Sequence, residues 1–338
     1  MKAVLCQQYG PPESLVVQDV PMPQPGPGQV RVAVHAASAN FPDTLIIENK
    51  YQFKPPLPFS PGGEVAGTVD AVGDGVTAFK AGDRVIAACG WGGFAEQVVV
   101  DAGKLTPLPE GIAMDAAASL LVTYGTTHYA LRERAHLQPG ETLLVLGAAG
   151  GTGLSAIELG KRMGARVIAA ASSDEKLAVC RQMGADETIN YATEDLRAGL
   201  KRLTGDVGVD VVYDPVGGAY TEAALRGTAW NGRYLVIGFT TGEIPRPPLN
   251  LALLKGCAIV GVFYGAFNAK QPARSAELTA ELLGWLKDGS IRPHIAQRLP
   301  LEQAAQALRT LADRRATGKI VISTALGRRH GVAGESRG

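Results

Sequence analysis

The chain has 338 residues, which is enough for about two domains and a large buried core. Its 33 Lys and Arg residues balance its 32 Asp and Glu residues without a long run of either sign, so neither a nucleic acid nor a membrane is indicated as a partner. The four cysteines are scattered and no apolar run is long enough to span a bilayer, so we expect a cytoplasmic protein with reduced thiols.

Residues 1 to about 122 alternate short strand-like runs with turns rich in proline and glycine. Short strands at this spacing predict a β-barrel or a β-sandwich. Residues 40–63 separate two of these strands, and their aromatic content argues against disorder, so we interpret them as a functional loop. The predicted strands cover residues 2–7, 15–20, 29–37, 67–72, 84–88 and 96–100.

A glycine-rich loop, residues 147–153, lies near the middle of the chain. The four residues before it are wholly apolar, as in a strand buried on both faces, and the residues after it show helical spacing. Strand, glycine loop and helix in this order direct backbone N–H groups at one point, which is how a pyrophosphate is bound. Ala148 stands where the dinucleotide fingerprint has its first glycine, and Gly150 and Gly153 match the other two. We predict a nucleotide site here in preference to a plain tight turn.

Strands and helices alternate after this loop. Six short strands with helical crossovers predict an α/β fold with a doubly wound parallel sheet. A last strand is predicted at residues 319–323, and residues 327–338 are expected to form a flexible tail. The six strands cover residues 142–147, 166–171, 187–191, 209–214, 233–238 and 258–263, and helices cover residues 113–121, 124–133, 174–183, 194–203, 220–229, 273–287 and 301–314.

Several short motifs occur along the chain in one order: Asn40-Phe-Pro-Asp43, Tyr51, Pro61-Gly-Gly-Glu-Val-Ala-Gly67, Ala81-Gly-Asp-Arg-Val85, the glycine loop and Asp214-Pro-Val-Gly-Gly218. Together they resemble the medium-chain dehydrogenase/reductase superfamily, and within it the zinc-independent quinone oxidoreductase (zeta-crystallin-like) branch. The resemblance implies a Rossmann domain, residues 123–263, inserted in a GroES-like β-barrel domain made of residues 1–122 and 264–326. It also implies NADPH as the cofactor and a homodimer.

Zinc is not expected. The superfamily's alcohol dehydrogenases hold a catalytic zinc with a cysteine and a histidine, and the matching places in this chain are Asn40 and Gly63. Cys89 stands alone where a four-cysteine lobe would bind a structural zinc. The histidines lie far apart along the chain, and we interpret His35 and His128 as structural.

Without a metal, a substrate carbonyl has to be polarised by hydrogen bonds. The resemblance implies that Asn40 and Tyr51 line the substrate pocket, with Asp43 beside them. A tyrosine hydroxyl can donate to a carbonyl oxygen, although its ordinary pKa of about 10 makes it a weak acid. The alternatives are that the Tyr51 ring packs the loop, that Asn40 forms a turn, and that Asp43 only orients the loop.

Two parts of the cofactor have expected partners in the second domain. The loop residues expected to bind the phosphates are Ala149, Gly150, Gly151, Thr152 and Gly153. The resemblance implies that the nicotinamide is bordered by Thr127, Gly238, Phe239 and Phe263. A core-facing helical position for the threonine, and plain core packing for the two phenylalanines, remain open.

The ribose end of the site is predicted from the tip of the second strand of the sheet. NAD sites carry an acid there, about 20 residues beyond the glycines, whereas this chain has Ala171 followed by Ser172 and Ser173. No acid repels a 2′-phosphate, and Ser172 and Lys176 can bind one, so NADPH is predicted. The alternatives are Ser173 as a helix N-cap and Lys176 as a solvated residue. The resemblance adds Tyr191 as a further phosphate contact.

These features predict a zinc-independent reductase that transfers hydride from NADPH to a quinone. The alternative enzyme reduces the C=C bond of an α,β-unsaturated ketone or an enoyl thioester such as enoyl-CoA, and a second alternative is a zeta-crystallin-like RNA-binding or structural protein. The apolar run at residues 258–263 is expected at a sheet edge without a blocking charge, which favours a homodimer. We expect a small-molecule electron acceptor and no nucleic acid as partner.

Overall fold

The computed structural model describes residues 1–329 of the chain, which divide into two compact units. Residues 1–122 and 283–329 form the first unit, and residues 123–282 form the second. Within residues 1–329, no helix combines the length and the apolar character that crossing a bilayer requires.

The described residues form fifteen β-strands and twelve α-helices. The strands are β1 (Lys2–Leu5), β2 (Val16–Asp19), β3 (Gln29–Ala39), β4 (Glu64–Val72), β5 (Arg84–Ala87), β6 (Gln97–Asp101), β7 (Leu105–Pro107), β8 (Thr142–Leu146), β9 (Arg166–Ala171), β10 (Glu187–Asn190), β11 (Val209–Asp214), β12 (Thr228–Val236), β13 (Ala258–Gly261), β14 (Ile295–Pro300) and β15 (Lys319–Ser323). The helices are α1 (Phe41–Ile47), α2 (Met114–Ala118), α3 (Thr123–His128), α4 (Gly151–Arg162), α5 (Asp174–Gln182), α6 (Leu196–Thr204), α7 (Tyr220–Arg226), α8 (Asn250–Lys255), α9 (Tyr264–Lys270), α10 (Pro272–Lys287), α11 (Ala304–Ala312) and α12 (Ala325–Arg329).

The first unit is built around β3, which is long enough to change partners along its length. The sheet order is β14-β15-β3-β4-β5-β7, and β6 pairs with the first half of β3 while β15 pairs with its last residues. Val30, Val32 and Val34 are fully buried, and the residues between them are half-buried. This period of two is what a strand with one face on a core requires. The small sheet of β1 and β2 completes the predicted β-rich, GroES-like unit.

The segment predicted as a loop at residues 40–63 begins with a helix, α1. Asn40 caps this helix, and the carboxylate of Asp43 accepts the backbone N–H of Asn40 at 2.8 Å. Pro42, in the first turn, lacks only an N–H that would have no helical partner. Only the remainder of the segment is irregular, and the loop prediction was wrong for residues 41–47.

The predicted tail begins too early. Gly327 is buried in α12, and its backbone N–H donates to Thr324 Oγ1 at 3.3 Å, so residues 325–329 continue the ordered first unit. Residues 330–338 of the predicted tail lie outside the described residues. Strands β7 and β14 were not predicted, and both are short or polar strands that pair at the sheet's margins.

The second unit is a six-stranded parallel sheet in the order β10-β9-β8-β11-β12-β13. Counted along the chain this order is 3-2-1-4-5-6, the arrangement of dinucleotide-binding domains. The central strands β8 and β11 consist almost wholly of buried residues, as expected of strands covered on both faces. The predicted doubly wound Rossmann sheet is confirmed.

The second unit extends beyond the predicted boundary at residue 263. In the predicted division the first domain resumes at residue 264, whereas the structure keeps residues 264–282 in the second unit. The physical reason is an aromatic cluster, because the rings of Tyr264 and Phe267 in α9 lie 6.3 and 4.2 Å from the ring of Tyr129. The boundary falls within α10, at residue 283.

Candidate active site

The glycine loop joins β8 to α4 through a turn that requires small residues. Gly147 has a φ of +56°, so the left-handed conformation falls one residue before Ala148. The backbone N–H of Ala148 donates to the carbonyl of Ala170 at 3.0 Å and so continues the sheet. A Cβ on Gly153 would lie 2.5 Å from the carbonyl oxygen of Ala148, so α4 can begin here only with glycine. This geometry explains why the fingerprint tolerates alanine at its first position.

The loop lies at the carboxyl end of β8, where the order of the sheet changes direction between β9 and β11. Ligands of open α/β sheets bind at this switch point. Gly150 is the N-cap of the twelve-residue helix α4, and Gly151, Thr152 and Gly153 are its first residues. Backbone N–H groups in a first helical turn have no intrahelical acceptor, and the helix dipole favours an anion there. With the buried Ala149, these residues form a site suited to a pyrophosphate.

The tip of β9 carries an ammonium and a hydroxyl group side by side. Lys176 Nζ donates to Ser172 Oγ at 3.0 Å on the protein surface. Ser173 is the N-cap of α5, and its hydroxyl oxygen accepts the backbone N–H of Lys176 at 3.3 Å. Ala171 is only 1% exposed, so Ser172 is the accessible residue at the tip. Ser172 and Lys176 are therefore placed to bind an anion, whereas Ser173 has the capping role considered as its alternative.

Tyr191 lies beside the same strand tip. Its backbone N–H donates to the carbonyl of Ala171 at 3.1 Å, and its ring centroid lies 4.3 Å from that of Tyr220. The carboxyl ends of β8, β9 and β10 are neighbours in the sheet, so the structure brings the glycine loop, Ser172 and Tyr191 to one edge. The structure thus brings these predicted cofactor-binding residues together, and their contact with the phosphate and ribose stays a prediction.

The residues predicted at the nicotinamide differ in accessibility. Thr127 is fully buried, with Oγ1 2.7 Å from Ser155 Oγ and 2.9 Å from the hydroxyl oxygen of Tyr213. These contacts favour the core-facing alternative for Thr127. Phe239 and Phe263 are 36% and 52% exposed, which argues against plain core packing for both. Gly238 follows β12, and its N–H donates to the backbone carbonyl of Asp214 at 3.3 Å.

In the first unit, Asn40 belongs to a buried polar network with Glu64 and Lys319. Asn40 Nδ2 donates to Glu64 Oε1 at 2.9 Å, and Lys319 Nζ donates to Asn40 Oδ1 at 2.6 Å and to Glu64 Oε1 at 3.1 Å. Asn40 Nδ2 also donates to the carbonyl of Ser38 at 3.1 Å. All three side chains are at least nine-tenths buried. The Asn40 amide is therefore fully committed to protein partners.

Asp43 lies next to this network and is 2% exposed. Its Oδ2 accepts the N–H of Asn40 and its Oδ1 accepts the N–H of Gly62 at 3.1 Å. Burial raises the pKa of this carboxyl to about 7, although the two hydrogen bonds and the charge of Lys319 act in the opposite direction. Asp43 thus orients the loop, as one alternative held, and also titrates near neutral pH.

Tyr51 is the most accessible of the three predicted catalytic residues, since Asn40 and Asp43 are buried. It is half-buried, and its ring centroid lies 5.8 Å from that of Phe53. Burial first, and then the charge of Asp43, raises the pKa of the Tyr51 hydroxyl, which keeps it protonated. The hydrogen bonds of the Asn40–Glu64–Lys319 network do not involve Tyr51. Its O–H is suited to donate to a substrate oxygen.

The donor groups near Asn40 do not match a zinc site. The Lys319 ammonium is bonded to the oxygens of Asn40 and Glu64. Burial raises the pKa of the Cys89 thiol to about 12, whereas zinc binds the thiolate. Across residues 1–329, no three His, Cys, Asp or Glu side chains converge in a way that could hold a metal ion. His35 is a buried residue whose Nε2 lies 3.3 Å from Thr68 Oγ1.

Glu64 and Lys319 are absent from the predicted site residues. The available signal was their residue type, because lysine and glutamate are rarely fully buried unless paired. Lys319 directly precedes the apolar run Ile-Val-Ile of β15, and Glu64 stands in Gly-Gly-Glu-Val-Ala. Either residue alone is also consistent with a solvated strand end, and the pairing across the sequence was not predicted.

Two family models match this chain. The alcohol dehydrogenase GroES-like domain matches residues 26–110, and the family described as zinc-binding dehydrogenase matches residues 151–281. The second match lies entirely in the unit that contains the glycine loop.

Known proteins of similar sequence span nearly the whole chain. Quinone oxidoreductase-like protein 2 homolog from Nematostella vectensis is 40% identical over 327 residues, which are 96% of this chain and 89% of that protein. Quinone oxidoreductase from Pseudomonas aeruginosa is 38% identical over 322 residues, which are 95% of this chain and 99% of that protein.

A solved structure agrees with these matches. Escherichia coli quinone oxidoreductase complexed with NADPH is 30% identical and superposes with a TM-score of 0.89, covering 96% of this chain and 100% of that one. The family models, the sequence relatives and the solved structure therefore agree with the resemblance inferred from the motifs. The chain belongs to the medium-chain dehydrogenase/reductase superfamily, in its zinc-independent quinone oxidoreductase branch.

Proposed function

We propose that this oxidoreductase transfers hydride from NADPH to a quinone. The observation that carries the proposal is the tip of β9, where Ser172 and Lys176 stand in place of the acid that NAD sites carry. An ammonium 3.0 Å from a neighbouring hydroxyl suits a dianionic 2′-phosphate. The similarity to quinone oxidoreductases, one of them solved with NADPH, supports the same assignment.

The protein's own residues have distinct parts in this reaction. The glycine loop and α4 bind the pyrophosphate, and Lys176 selects the phosphorylated ribose. Bound NADPH supplies the hydride, and the protein supplies positioning and electrostatics. Tyr51 donates a hydrogen bond to the carbonyl oxygen on which negative charge develops, while Asn40 and Asp43 hold the loop that carries it. An electron-poor quinone needs little further acid catalysis.

The acceptor is tested by following the absorbance of reduced nicotinamide with several classes of substrate. A quinone series, a series of enals and enones, and an enoyl thioester are offered at equal concentrations. We expect kcat/KM to be highest for a quinone. A higher value for the conjugated C=C substrates would assign the protein to double-bond reduction. Absence of turnover with every acceptor, together with retention of RNA on a nitrocellulose filter, would favour the binding role.

We also propose that the protein forms a homodimer through β13. Within residues 1–329 this strand pairs with β12 alone, and Ile259 on it is 40% exposed. Trp230 and Leu253, on β12 and α8, are 70% and 80% exposed. An unprotected edge beside exposed apolar side chains favours pairing with an identical edge about a two-fold axis.

A further inference from the structure

Lys319 is a buried lysine with a complete set of protein partners. It is the first residue of β15, its side chain is 4% exposed, and it forms an ion pair with Glu64, whose side chain is 1% exposed. Removing two charges from water is costly, and an apolar pair of similar volume is often at least as stable. The ion pair is therefore poorly explained by stability alone.

Lys319 determines which way the Asn40 amide faces. The ammonium can only donate, so it fixes Oδ1 of Asn40 on its own side, and Nδ2 then donates to Glu64 and Ser38. The reversed amide would bring an N–H group against the ammonium and would set its oxygen against the oxygens of Glu64 and Ser38. Asn40 is in turn the N-cap of α1, so its position sets the start of that helix.

The same contacts reach Asp43. The backbone N–H of Asn40 donates to Asp43 Oδ2 at 2.8 Å, and the backbone N–H of Gly62 donates to Asp43 Oδ1. Glu64 lies two residues after Gly62. The loop between these anchors contains Tyr51. Lys319 thus joins the end of β15 to both ends of the loop that carries the expected substrate contact.

We propose that Lys319 is a positioning residue for substrate reduction, acting through Asn40 and Glu64 on the segment that carries Asp43 and Tyr51. This inference rests on the proposed reductase function. Lys319 itself touches neither substrate nor cofactor in this proposal. It anchors the loop through hydrogen bonds from a charged group, so its removal alters both the geometry and the local charge.

The charges around Asp43 give the proposal a distinctive signature. Lys319 lowers the pKa of Asp43 and Glu64 raises it, so the two partners act in opposite directions. Tyr51 and Cys89 are also near, but both stay neutral because their own pKa values are raised. Arg309, on the helix α11 that packs against α1, pairs with Glu13. Only Lys319 and Glu64 among the named neighbours therefore change the charge felt by Asp43.

The experiment compares Lys319→Met, Glu64→Gln and the double variant with the exposed control Lys80→Met. For each protein the pH dependence of kcat and kcat/KM is measured with NADPH and the best quinone. We expect kcat of Lys319→Met to fall between about 10- and 100-fold with a smaller change in KM for NADPH. The apparent pKa near neutrality should rise by about one unit in Lys319→Met and fall in Glu64→Gln. Lys319→Arg should recover part of the lost kcat, and Lys80→Met should match the wild type.

A second readout does not require turnover. The melting temperature is measured between pH 5 and pH 8 and compared with that of Asp43→Asn. The raised pKa of Asp43 makes the fold lose stability as pH rises from the ordinary value of 3.8 through about 7. This loss should extend to higher pH in Lys319→Met and end at lower pH in Glu64→Gln. If Lys319→Met does not fold, Glu64→Gln and Lys319→Arg carry the comparison.

The two failures are distinguishable. If no quinone causes the wild-type protein to oxidise NADPH, the proposed function is overturned, whatever the variants do. In an active enzyme, the positioning role is overturned if the apparent pKa shifts in the same direction in Lys319→Met and Glu64→Gln. It is also overturned if Lys319→Met lowers the melting temperature but not kcat.

Discussion

Lys176→Ala should weaken NADPH binding by about tenfold and leave NADH binding unchanged. The alanine keeps the helix, because the N-cap bond of Ser173 uses the backbone N–H of residue 176 and not its side chain. The ammonium lies 3.0 Å from Ser172 Oγ at the surface, so solvent partly screens it. A protected charge-assisted hydrogen bond contributes ~1.5–3 kcal/mol and an exposed ion pair ~0.2–1 kcal/mol. The expected contact of Lys176 with the 2′-phosphate is half-exposed, so its contribution should lie between these two ranges, at about 1.4 kcal/mol, which is tenfold in Kd.

The assay is a pair of titrations, with NADPH and with NADH, for wild type, Lys176→Ala and the control Lys201→Ala. Lys201 is another helical lysine of the second unit and is paired with Asp206 at 3.3 Å. Raising the ionic strength should weaken NADPH binding to the wild type more than to Lys176→Ala, because salt screens the Lys176 ammonium and the variant lacks this charge. Equal loss of both cofactors in Lys176→Ala, or wild-type affinity for NADH equal to that for NADPH, would refute the placement of the 2′-phosphate.

A substitution meant to favour NADH over NADPH belongs at residue 172. NAD sites carry their acid at the place of Ala171, but Ala171 is buried, so a carboxylate there would be desolvated as well as repelled by the 2′-phosphate. Ser172→Asp places the charge on the exposed tip. We expect it to weaken NADPH and to spare or strengthen NADH, since its carboxylate can accept the ribose hydroxyl.

Three further outcomes are expected. Tyr51→Phe removes one hydroxyl and should lower kcat/KM roughly 2- to 12-fold across quinones, and an unchanged value would assign the ring to packing. Leu253→Lys should give a monomer mass by light scattering at micromolar concentration, whereas Val207→Lys, at a similarly exposed position, should not; a monomeric wild type would contradict the dimer. Burial lowers the pKa of His128 to about 4, so His128 makes the fold lose stability as pH drops from about 6.5 towards 4, and the melting temperature of the wild type should fall relative to that of His128→Gln over this range. An identical pH dependence in both proteins would rule out this contribution of His128.

The second unit was predictable because its signals are local. Strand, glycine loop and helix are contiguous, and each following strand is a short apolar run between turns. Parallel strands joined by right-handed crossovers leave few orders for six strands, so the sheet follows from the alternation alone. The exact turn was not predictable, because the positive φ at Gly147 depends on Ala148 still pairing with β9.

The first unit was less predictable at its site. The start of α1 did carry a local signal, an asparagine followed three residues later by an aspartate with a proline between them, but it was interpreted as a loop motif. The pairing of Lys319 with Asn40 and Glu64 joins residues 279 and 255 positions apart. No periodicity within β15 distinguishes a lysine that is buried there from one at a solvated strand end.

This difference has a consequence for how substitutions act at the two sites. In the glycine loop the backbone itself forms the site, and a side chain at Gly153 would displace α4 from the loop whatever its chemistry. Around Asn40 the site consists of side chains. Asn40, Glu64 and Lys319 come from three segments of the chain, and each hydrogen-bond donor among them needs an acceptor on another. Neutral replacements of both Lys319 and Glu64 could preserve the fold, since a buried ion pair adds little to stability over an apolar pair, and still release the Asn40 amide. Loss of activity without loss of the fold is therefore the result that separates a functional ion pair from a structural one.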